Sequence, residues 1–392
     1  MKNNFICAVD FGSSKLSGVV GVFNREGKII DLIMESVASK GVRAGRLADF
    51  SQTSNSLENL LKNLQKSSGL KIKEFYASIS GNEVTHRHSR AIMPLAERGN
   101  RMITDFDIQR LKDQARLLGT NLQEEIIHEI PFGYIVDADN YCRDPRQLYA
   151  HRLEIDLLLI YAKLSYIQSI ARMAHQIGYY LKKVFYPGFI NAQFSTGDGQ
   201  RTGIDIFCDI GADITDLVMF KDGILQDIVV IAQGADNITR GIAQELNISF
   251  ELADEIKRSF SIVGDFQDLA EDKEIMVKNA NIYTPIKQRE VCRIATAEVT
   301  TLSSAVKQAI DKMSRLEPIN CLYIAGRCVI QEGFLEKFEE IIGVTSRIIR
   351  IPSRYFLNNQ IYNKLISVPT KMLTYLNAFS MSIYAWEAAQ AG

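Results

Sequence analysis

The sequence predicts an α/β protein that is built from two similar lobes. The opening stretch, FICAVDFGSSKLSGVVGVF, is an apolar strand that ends in Asp10, a turn that contains Gly12, and a second apolar strand. The same order recurs in GIDIFCDIGADITDLVMF, where Asp209 ends the strand and Gly211 follows. Such an internal repeat indicates two copies of one supersecondary unit. The polar stretch 195–203, STGDGQRTG, lies between the copies and is typical of a linker.

Length and composition restrict the class of protein. The chain has 392 residues, of which 46% are hydrophobic and 23% charged, so it can bury a large core. The formal net charge is −1, and we therefore expect no nucleic-acid partner. The six cysteines form no CxxC pair and several lie in apolar runs, which favours reduced core residues over a zinc site. The sequence contains neither a signal-peptide pattern nor a run of ~18 apolar residues that would span a membrane.

The first part of the chain predicts a compact unit of three strands, a helix and a further strand. The third strand is KIIDLIMESVAS, and the last is EFYASISG. Between them, SLENLLKNLQKSS has leucines at helical spacing, and Gly69 follows its end as a stop signal. The leucines that define this helix are Leu57, Leu60, Leu61 and Leu64.

The block 84–162 predicts a small inserted α+β domain. It begins with the alternating strand THRHSRAIMPL. Thr104 and Asp107 form a capping-box pattern, which opens a helix that ends at Gly119. The strands EIIHEIPFGYIVD and AHRLEIDLLLIYA follow, with the polar loop ADNYCRDPRQLY between them.

The second half predicts a third strand and then mostly helices. A Lys-Asp-Gly turn leads into the strand ILQDIVVIAQG. Two helices (ADNITRGIAQEL and FELADEIKRSF), a polar strand-rich region at 261–290 and the long helix ATAEVTTLSSAVKQAIDKMSRL follow. The stretch INCLYIAGRCVIQEGFLEKFEEIIG predicts a strand, a glycine turn and a helix, and KMLTYLNAFSMSIYAWEAAQ predicts an apolar closing helix.

The glycine turns allow two interpretations. Glycine and serine favour turns for backbone reasons alone. Backbone N–H groups beside glycine, together with hydroxyls and a lysine, also cradle phosphates. If the two turns face each other across a cleft, Asp10 and Asp209 can hold a magnesium ion through water, because Mg²⁺ uses few carboxylates. A third glycine turn, at Gly326, would admit a flat base close to the backbone.

The order of the motifs resembles a known superfamily. VDFGSSKLS, CDIGADITDLVMF, QGADNITRGIA, ADEIK and LYIAGRCVIQEGF, in this order, are similar to the nucleotide-binding fold of actin, Hsp70 and sugar kinases. Within it, the inserted block, SKGVRAGRLADF and RDPRQLYAHRLEIDLLLI resemble the bacterial cell-division family FtsA. The resemblance extends from Cys7 to Ala385. It implies an actin-like (ribonuclease H-like), two-lobed α/β ATPase fold with an inserted α+β subdomain in the first lobe.

The resemblance also implies a division into four subdomains. The first lobe would consist of a core subdomain and the insertion, and the second lobe of two subdomains. The implied ranges are 1–83 and 163–195 for subdomain 1A, 84–162 for the inserted subdomain 1C, 196–234 and 318–392 for subdomain 2A, and 235–317 for subdomain 2B.

The resemblance implies a site for ATP and Mg²⁺ between the lobes. Asp10 and Asp209 would lie at the metal, either directly or through water. The nucleotide-binding residues implied are Gly12, Ser13, Ser14 and Lys15 in the first phosphate loop, Gly211, Ala212 and Asp213 in a second loop that continues to Thr215, Gly234 near the phosphates, Asp254 and Lys257 at the ribose, and Gly326 with Arg327 at the adenine.

Several positions depart from the family pattern. The family's second loop reads Asp-Ile-Gly-Gly-Gly-Thr-Thr-Asp, whereas this chain has Ala212, Asp213 and Ile214 at the second glycine, the third glycine and a threonine. A carboxylate at Asp213 would point toward the phosphates, and two like charges ~4 Å apart repel by about 4 kcal/mol at an effective dielectric of ~20. Asp254 replaces a glutamate, and Arg327 replaces a glycine at the adenine turn, where it can stack on the base or plug the pocket. These departures bear on ATP and Mg²⁺ binding, and we expect at most a weak ATPase.

The function that the resemblance implies is that of an actin-like cell-division scaffold. The protein would bind ATP between its lobes and form head-to-tail filaments through contacts that do not close. Region 235–317 would dock the C-terminal tail of the tubulin-like protein FtsZ, and the inserted subdomain would contact other division proteins. The expected location is the cytoplasm, at the cytoplasmic face of the inner membrane at the division site.

Full-length members of the family are anchored to the inner membrane by a C-terminal amphipathic helix. Such a helix needs a basic face, and this sequence has no Lys or Arg after Lys371. We therefore expect either that such a tail has been removed or that lipid is not bound by this route.

Two alternative functions stay open at the level of sequence. A pilus-associated actin-like scaffold protein also carries an insertion in its first domain and binds ATP and a partner peptide. A sugar kinase of the same superfold would need a general-base acid and a sugar pocket, for which the sequence offers no signature.

Overall fold

The computed structural model describes most of the chain. The predicted linker 195–203 is described only at its ends, because residues 196–201 lie outside the described residues. Parts of the predicted polar region 261–290 also lie outside them. The described residues are 4–96, 99–195, 202–264, 273–279 and 282–391.

The described residues form strands and helices in the predicted order. The strands are β1 (Phe5–Phe11), β2 (Lys15–Phe23), β3 (Ile29–Ala38), β4 (Val42–Arg43), β5 (Arg46–Leu47), β6 (Glu74–Ser78), β7 (Val84–Pro94), β8 (Arg101–Met102), β9 (Glu124–Val136), β10 (Asn140–Cys142), β11 (Tyr149–Ala150), β12 (Arg152–Lys163), β13 (Tyr180–Phe185), β14 (Ile204–Ile210), β15 (Thr215–Lys221), β16 (Ile224–Ile231), β17 (Glu274–Asn279), β18 (Ile282–Lys287), β19 (Ile319–Ala325) and β20 (Ser346–Ile348). The helices are α1 (Phe50–Ser68), α2 (Asp105–Gly119), α3 (Leu164–Gln176), α4 (Pro187–Ser195), α5 (Ala235–Glu245), α6 (Phe250–Phe260), α7 (Gln288–Ser314), α8 (Phe334–Ile342), α9 (Asn359–Ile366) and α10 (Pro369–Ala391).

Two five-stranded sheets repeat a single strand pattern. The first has the order β13-β6-β1-β2-β3 and the second the order β16-β15-β14-β19-β20. In the first sheet β1, β2 and β3 are antiparallel neighbours, whereas β6 and β13 add in parallel on the other side of β1. In the second sheet β14, β15 and β16 are antiparallel, and β19 and β20 add in parallel beside β14. The internal repeat predicted from the sequence is therefore confirmed, together with the two-lobed α/β fold.

Helices α4 and α10 join the two sheets. Helix α10 packs on β1, β2 and β6 of the first sheet, α4 packs on β14 and β15 of the second, and the two helices pack on each other. One continuous hydrophobic core therefore includes Val9 of the first sheet, Phe379 of α10, Ile190 of α4 and Leu217 of the second sheet. The turns of the antiparallel hairpin β1–β2 and of its counterpart β14–β15 lie on the same side of the molecule, where both line one cavity.

The inserted block has a core of its own. Its four-stranded sheet has the order β10-β9-β12-β7, and α2 packs on β7 and β12. Strand β12 has two buried faces: Leu157 and Leu159 belong to the core under α2, whereas Leu158 and Ile160 belong to the main core. The capping box predicted at the start of α2 is present, with Thr104 as the N-cap. The subdomain boundaries given above stay predictions.

The inserted sheet also contacts the second five-stranded sheet through the edge strand β16. His86 Nε2 on β7 lies 3.2 Å from Asp227 Oδ1 on β16. Nearby, an Arg143 guanidinium nitrogen donates a 2.7 Å hydrogen bond to the carbonyl of Asp222. The insertion thus contacts both lobes.

Among the described residues, no helix is both long enough and apolar enough to span a membrane.

Candidate functional site

A cavity of about 660 Å³ lies between the two sheets, where the turns of both hairpins meet. Each predicted site residue except Gly234 lines it. Helix α10 contributes a further wall that includes Asn377, and α6 contributes Arg258, neither of which the sequence pointed to. The constellation predicted from three separate turns is therefore assembled in one place, whereas the roles of its members stay predictions.

The two glycine turns have the same local geometry. A Cβ on Gly12 would lie 2.8 Å from the carbonyl oxygen of Lys15, and a Cβ on Gly211 would lie 2.9 Å from the carbonyl oxygen of Ile214. In the second turn the Gly211 N–H donates a 2.9 Å hydrogen bond to that same Ile214 carbonyl. Both positions therefore require glycine because the turn is tight. This backbone requirement coexists with a position at the cavity wall, so the two interpretations of the turns do not exclude each other.

The ammonium group of Lys15 is buried and has no hydrogen-bond partner among the described residues. Burial, together with the positive charges of Arg327 and Arg258, lowers the pKa of Lys15 to about 7, although the charge of Asp10 opposes this shift. A buried cation without a hydrogen bond is costly. An anion in the cavity would satisfy it, so the site fits a phosphate group.

Asp10 and Asp209 approach each other from the two lobes. Burial raises the pKa of both carboxyl groups, and the charge of Asp10 contributes to raising that of Asp209 to about 6. The Asn377 amide donates a 3.4 Å hydrogen bond to Asp10 Oδ2 and also lowers the pKa of Asp209. Two buried carboxylates that repel each other fit a divalent cation with water in its remaining positions. The described residues contain no group of three or more His, Cys, Asp or Glu side chains arranged around a metal position.

A third acid, Asp216, is the cross-strand neighbour of Asp209 and also lines the cavity. It faces Asp209 across the β14–β15 ladder, and burial together with the Asp209 charge raises its pKa to about 7. The Tyr186 hydroxyl donates a 3.2 Å hydrogen bond to its carboxylate. The sequence contained a signal for this residue, because a two-strand hairpin closed at the Gly211 turn places Asp216 opposite Asp209.

Asp213 is bonded across the cleft. Its Oδ2 accepts a 3.1 Å hydrogen bond from the backbone N–H of Ala44, between β4 and β5 of the first lobe. Its Oδ1 lies 3.4 Å from a guanidinium nitrogen of Arg240 on α5. The carboxylate was expected to point toward the phosphates. In the structure these two partners compensate part of its charge, although the residue still lines the cavity.

Arg327 also reaches across the cleft. A guanidinium nitrogen donates a 3.1 Å hydrogen bond to the Ser14 hydroxyl in the first glycine turn. The preceding Gly326 has a φ of +114°, and a Cβ there would lie 2.2 Å from the carbonyl oxygen of Ile210. The third glycine turn is thus fixed by a close backbone approach to β14, and this approach sets the direction in which Arg327 leaves the chain.

Gly234 lies behind the second turn instead of on the cavity. A Cβ there would lie 2.4 Å from the carbonyl oxygen of Ala212. This close approach lets the first two N–H groups of α5, from Ala235 and Asp236, donate to the carbonyls of Gly211 and Ala212 at 2.9 and 2.8 Å. The N-terminus of α5 therefore supports the second turn.

Asp254 and Lys257 form an ion pair on α6. The Lys257 ammonium lies 3.1 Å from Asp254 Oδ1 and also donates to the Thr239 hydroxyl. Asp254 is shared with Arg258, one turn further along the helix. Both predicted ribose residues thus lie together at the cavity wall.

Comparison with known proteins bears on the family and the fold of this chain. A family model described as the SHS2 domain inserted in FtsA matches residues 81–161, and one described as cell division protein FtsA matches residues 206–359. A cell division protein FtsA of Borreliella burgdorferi is 24% identical over 89% of this chain and 85% of its own length. One of Streptococcus pneumoniae is 22% identical over 94% of this chain and 80% of its own length.

Solved structures with the same fold are more distant in sequence. The PilM–PilN type IV pilus biogenesis complex has a TM-score of 0.63 at 12% identity, over 97% of this chain and 98% of that chain. The ethanolamine utilization protein EutJ of Carboxydothermus hydrogenoformans has a TM-score of 0.52 at 14% identity, over 91% and 88%. At such identities the likeness concerns the fold alone.

The two lobes, the paired glycine turns and the SHS2 insertion define an actin-like protein. Within that class the chain is FtsA-like, as both family models and the division-protein relatives show. These homologues support an actin-like cell-division scaffold.

The close approach at Gly326 can be tested by substitution. Gly326→Ala should lower the free energy of unfolding by at least about 2 kcal/mol more than Gly343→Ala, because a backbone carbonyl must move. Gly343 is a matched control: it also has a positive φ, of +80°, but no atom lies within 4 Å of its Cβ position. Urea unfolding followed by circular dichroism measures both variants. Equal losses would contradict the close approach.

Proposed function

We propose that this chain is an actin-like division scaffold that binds ATP with Mg²⁺ between its lobes, assembles head to tail and links FtsZ to later division proteins. The observation that carries the nucleotide part is the buried Lys15 ammonium without a hydrogen-bond partner among the described residues. It lies in a cavity that both glycine turns line, beside the Asp10 and Asp209 carboxylates. A Mg²⁺–triphosphate supplies an anion for the lysine and a cation for the two acids.

Structures of related fold support this proposal. MreB5 of Spiroplasma citri is described as bound to ADP in one structure and to AMPPNP in another, with a TM-score of 0.50 and 11% identity in each case. In this chain Gly12 to Lys15 would hold the phosphate chain from the first lobe, and the turn at Gly211 would hold it from the second. Bound Mg²⁺ would neutralise charge on the phosphates and the acids.

Binding to the phosphates should depend on Lys15. Lys15→Met should weaken ATP binding by about 10- to 100-fold, because a charge-assisted hydrogen bond contributes about 1.5–3 kcal/mol. Titration calorimetry with and without Mg²⁺ measures the affinity. Lys71→Met, at an exposed lysine outside the cavity, is the control and should bind like the original chain. Unchanged binding by Lys15→Met would exclude this lysine from the site.

The same titration has a pH dependence with a definite sign. The pKa of Lys15 is about 7 in the ligand-free chain, and a bound phosphate raises it because it favours the charged ammonium. Binding then takes up a proton above pH ~7, so ATP affinity should fall as the pH rises from ~7 to ~9. Lys15→Met should abolish this slope, and a slope that persists in the variant would assign it to another group.

Head-to-tail assembly has a candidate contact surface on the inserted block. Phe106 and Leu117 on α2 are 69% and 74% exposed, and Leu122 just beyond the helix is 93% exposed. Apolar side chains concentrated in this way mark interaction surfaces. We propose that they contact the next protomer in a heterologous, non-closing arrangement. The inserted block would also reach other division proteins, at the cytoplasmic face of the inner membrane.

Filaments should be visible by negative-stain microscopy on a lipid monolayer in the presence of ATP. Leu122→Ser should shorten or abolish them, because it removes an apolar contact without touching the core. Leu357→Ser is a control at a leucine that is 59% exposed in another part of the chain. Persistent monomers of the unsubstituted chain would count against the filament proposal.

The FtsZ tail is proposed to dock on region 235–317. Within the described part of this region, Met276 and Tyr283 are 59% and 61% exposed. They are diagonal neighbours on the β17–β18 hairpin, where Met276 pairs with Pro285 and Lys278 with Tyr283. This hairpin offers an apolar anchor for an extended peptide.

A synthetic FtsZ tail peptide should bind the chain. Tyr283→Ser should lower the affinity for this peptide by about tenfold or more, as expected for an interface tyrosine. Fluorescence anisotropy measures the affinity, with Tyr149→Ser as a control at an equally exposed tyrosine of the inserted block. Binding of a pilus-protein peptide in place of the FtsZ tail would favour the pilus-associated alternative.

A further inference from the structure

Arg327 is placed where its family counterpart has no side chain. It begins the short turn after β19, directly beyond Gly326. Its guanidinium crosses the cleft and hydrogen-bonds the Ser14 hydroxyl at 3.1 Å, within the first glycine turn.

The guanidinium is poorly compensated in this position. Among the described residues it forms no ion pair, and its side-chain hydrogen bond is the one to Ser14. Burial and the charge of Arg258 lower the pKa of Arg327, while the charges of Asp254 and Asp236 oppose the shift. The unpartnered Lys15 ammonium is a second cation in the same corner, and the Arg327 charge lowers its pKa. The cavity wall therefore carries two cations, Lys15 and Arg327, and the arginine lies at the Ser14 hydroxyl.

The arrangement differs from both roles that the sequence allowed for this arginine. A plug would fill the pocket, but a cavity of about 660 Å³ persists with Arg327 in its wall, and this volume is in the range of about 300–1,000 Å³ that small-molecule sites have. A residue that stacks on the base would lie away from the phosphate loop. The bond to Ser14 places the guanidinium at that loop instead.

We infer that Arg327 is a phosphate-binding residue, which together with Lys15 makes the site select nucleoside polyphosphates by their phosphate chain. This inference rests on the proposed nucleotide function. A phosphate that enters between Lys15 and Arg327 replaces the Ser14 hydroxyl as acceptor for the guanidinium, and the hydroxyl then donates to the same phosphate. Since an arginine fork matches phosphate oxygens well, the phosphate chain is held from both lobes at once.

The test compares ATP, ADP and AMP by titration calorimetry for the original chain, Arg327→Gln and Arg327→Lys. Arg327→Gln should lower the affinity for ATP by about 10- to 100-fold, as expected for loss of a charged hydrogen-bond partner. The same substitution should lower the affinity for ADP by a smaller factor, and the affinity for AMP should stay within about threefold of that of the original chain. Arg327→Lys should recover part of the ATP affinity because it restores the charge but not the fork. Arg90→Gln, at an exposed arginine of the inserted sheet, controls for a general effect of charge removal.

Each other outcome overturns the inference in a recognisable way. An equal loss for ATP, ADP and AMP would identify a residue that stacks on the base. Tighter binding by Arg327→Gln would identify a plug. If the original chain binds no nucleotide, the proposed nucleotide function fails, and inorganic tripolyphosphate then decides the inference by itself. Tripolyphosphate binding that Arg327→Gln weakens by tenfold or more would support the phosphate site, and absence of binding by the original chain would overturn it.

Discussion

The packing of α4 against α10 is the constraint on which the rest of the molecule depends. Helix α10 packs on the first sheet and α4 on the second, and the two helices pack on each other. A row of hydrogen-bonded polar side chains crosses their contact. The Ser380 hydroxyl donates to Asn191 Oδ1 at 2.5 Å, and Asn191 donates to Asn377 Oδ1 at 2.6 Å. Asn377 then donates to Asp10 at 3.4 Å. Buried amide groups need hydrogen-bond partners, so this row of hydrogen bonds fixes how α4 and α10 are aligned with each other. The alignment in turn places the acids and both glycine turns at one cavity.

The cavity contains several buried charged groups that are not required to stabilise the fold. The acids Asp10, Asp209 and Asp216 and the lysine Lys15 all have pKa values shifted by burial away from their usual range. Groups of both signs that are desolvated together and only partly paired are typical of functional sites. A core built for stability would place apolar side chains here. The proposed ligand, a polyanion with a cation, would pair with charges of both signs in this arrangement.

The sequence predicted what depends on local order, and it missed what depends on long-range contacts. The repeated hairpins, the capping box at Thr104 and the three glycine turns are all visible in short windows, because turn and cap chemistry is local. The hydrogen-bond partners of the residues that differ from the family pattern cannot be recognised in short windows. Ser14 and Arg327 are 313 positions apart, and Ala44 and Asp213 are 169 apart. Only the approach of the two lobes brings them together, and no periodicity reports it.

The departures from the family pattern have a common physical consequence. Where the family has glycine, Asp213 and Arg327 each contribute a side chain that hydrogen-bonds the opposite lobe. A single intramolecular hydrogen bond adds about 0.5–1.5 kcal/mol, so the two together are comparable with the few kcal/mol that separate open and closed states of two-lobed proteins. Contacts that are present without nucleotide favour a closed arrangement of the two lobes in the ligand-free chain. Such a bias would keep the ligand-free chain in one shape, as the proposed scaffold role requires.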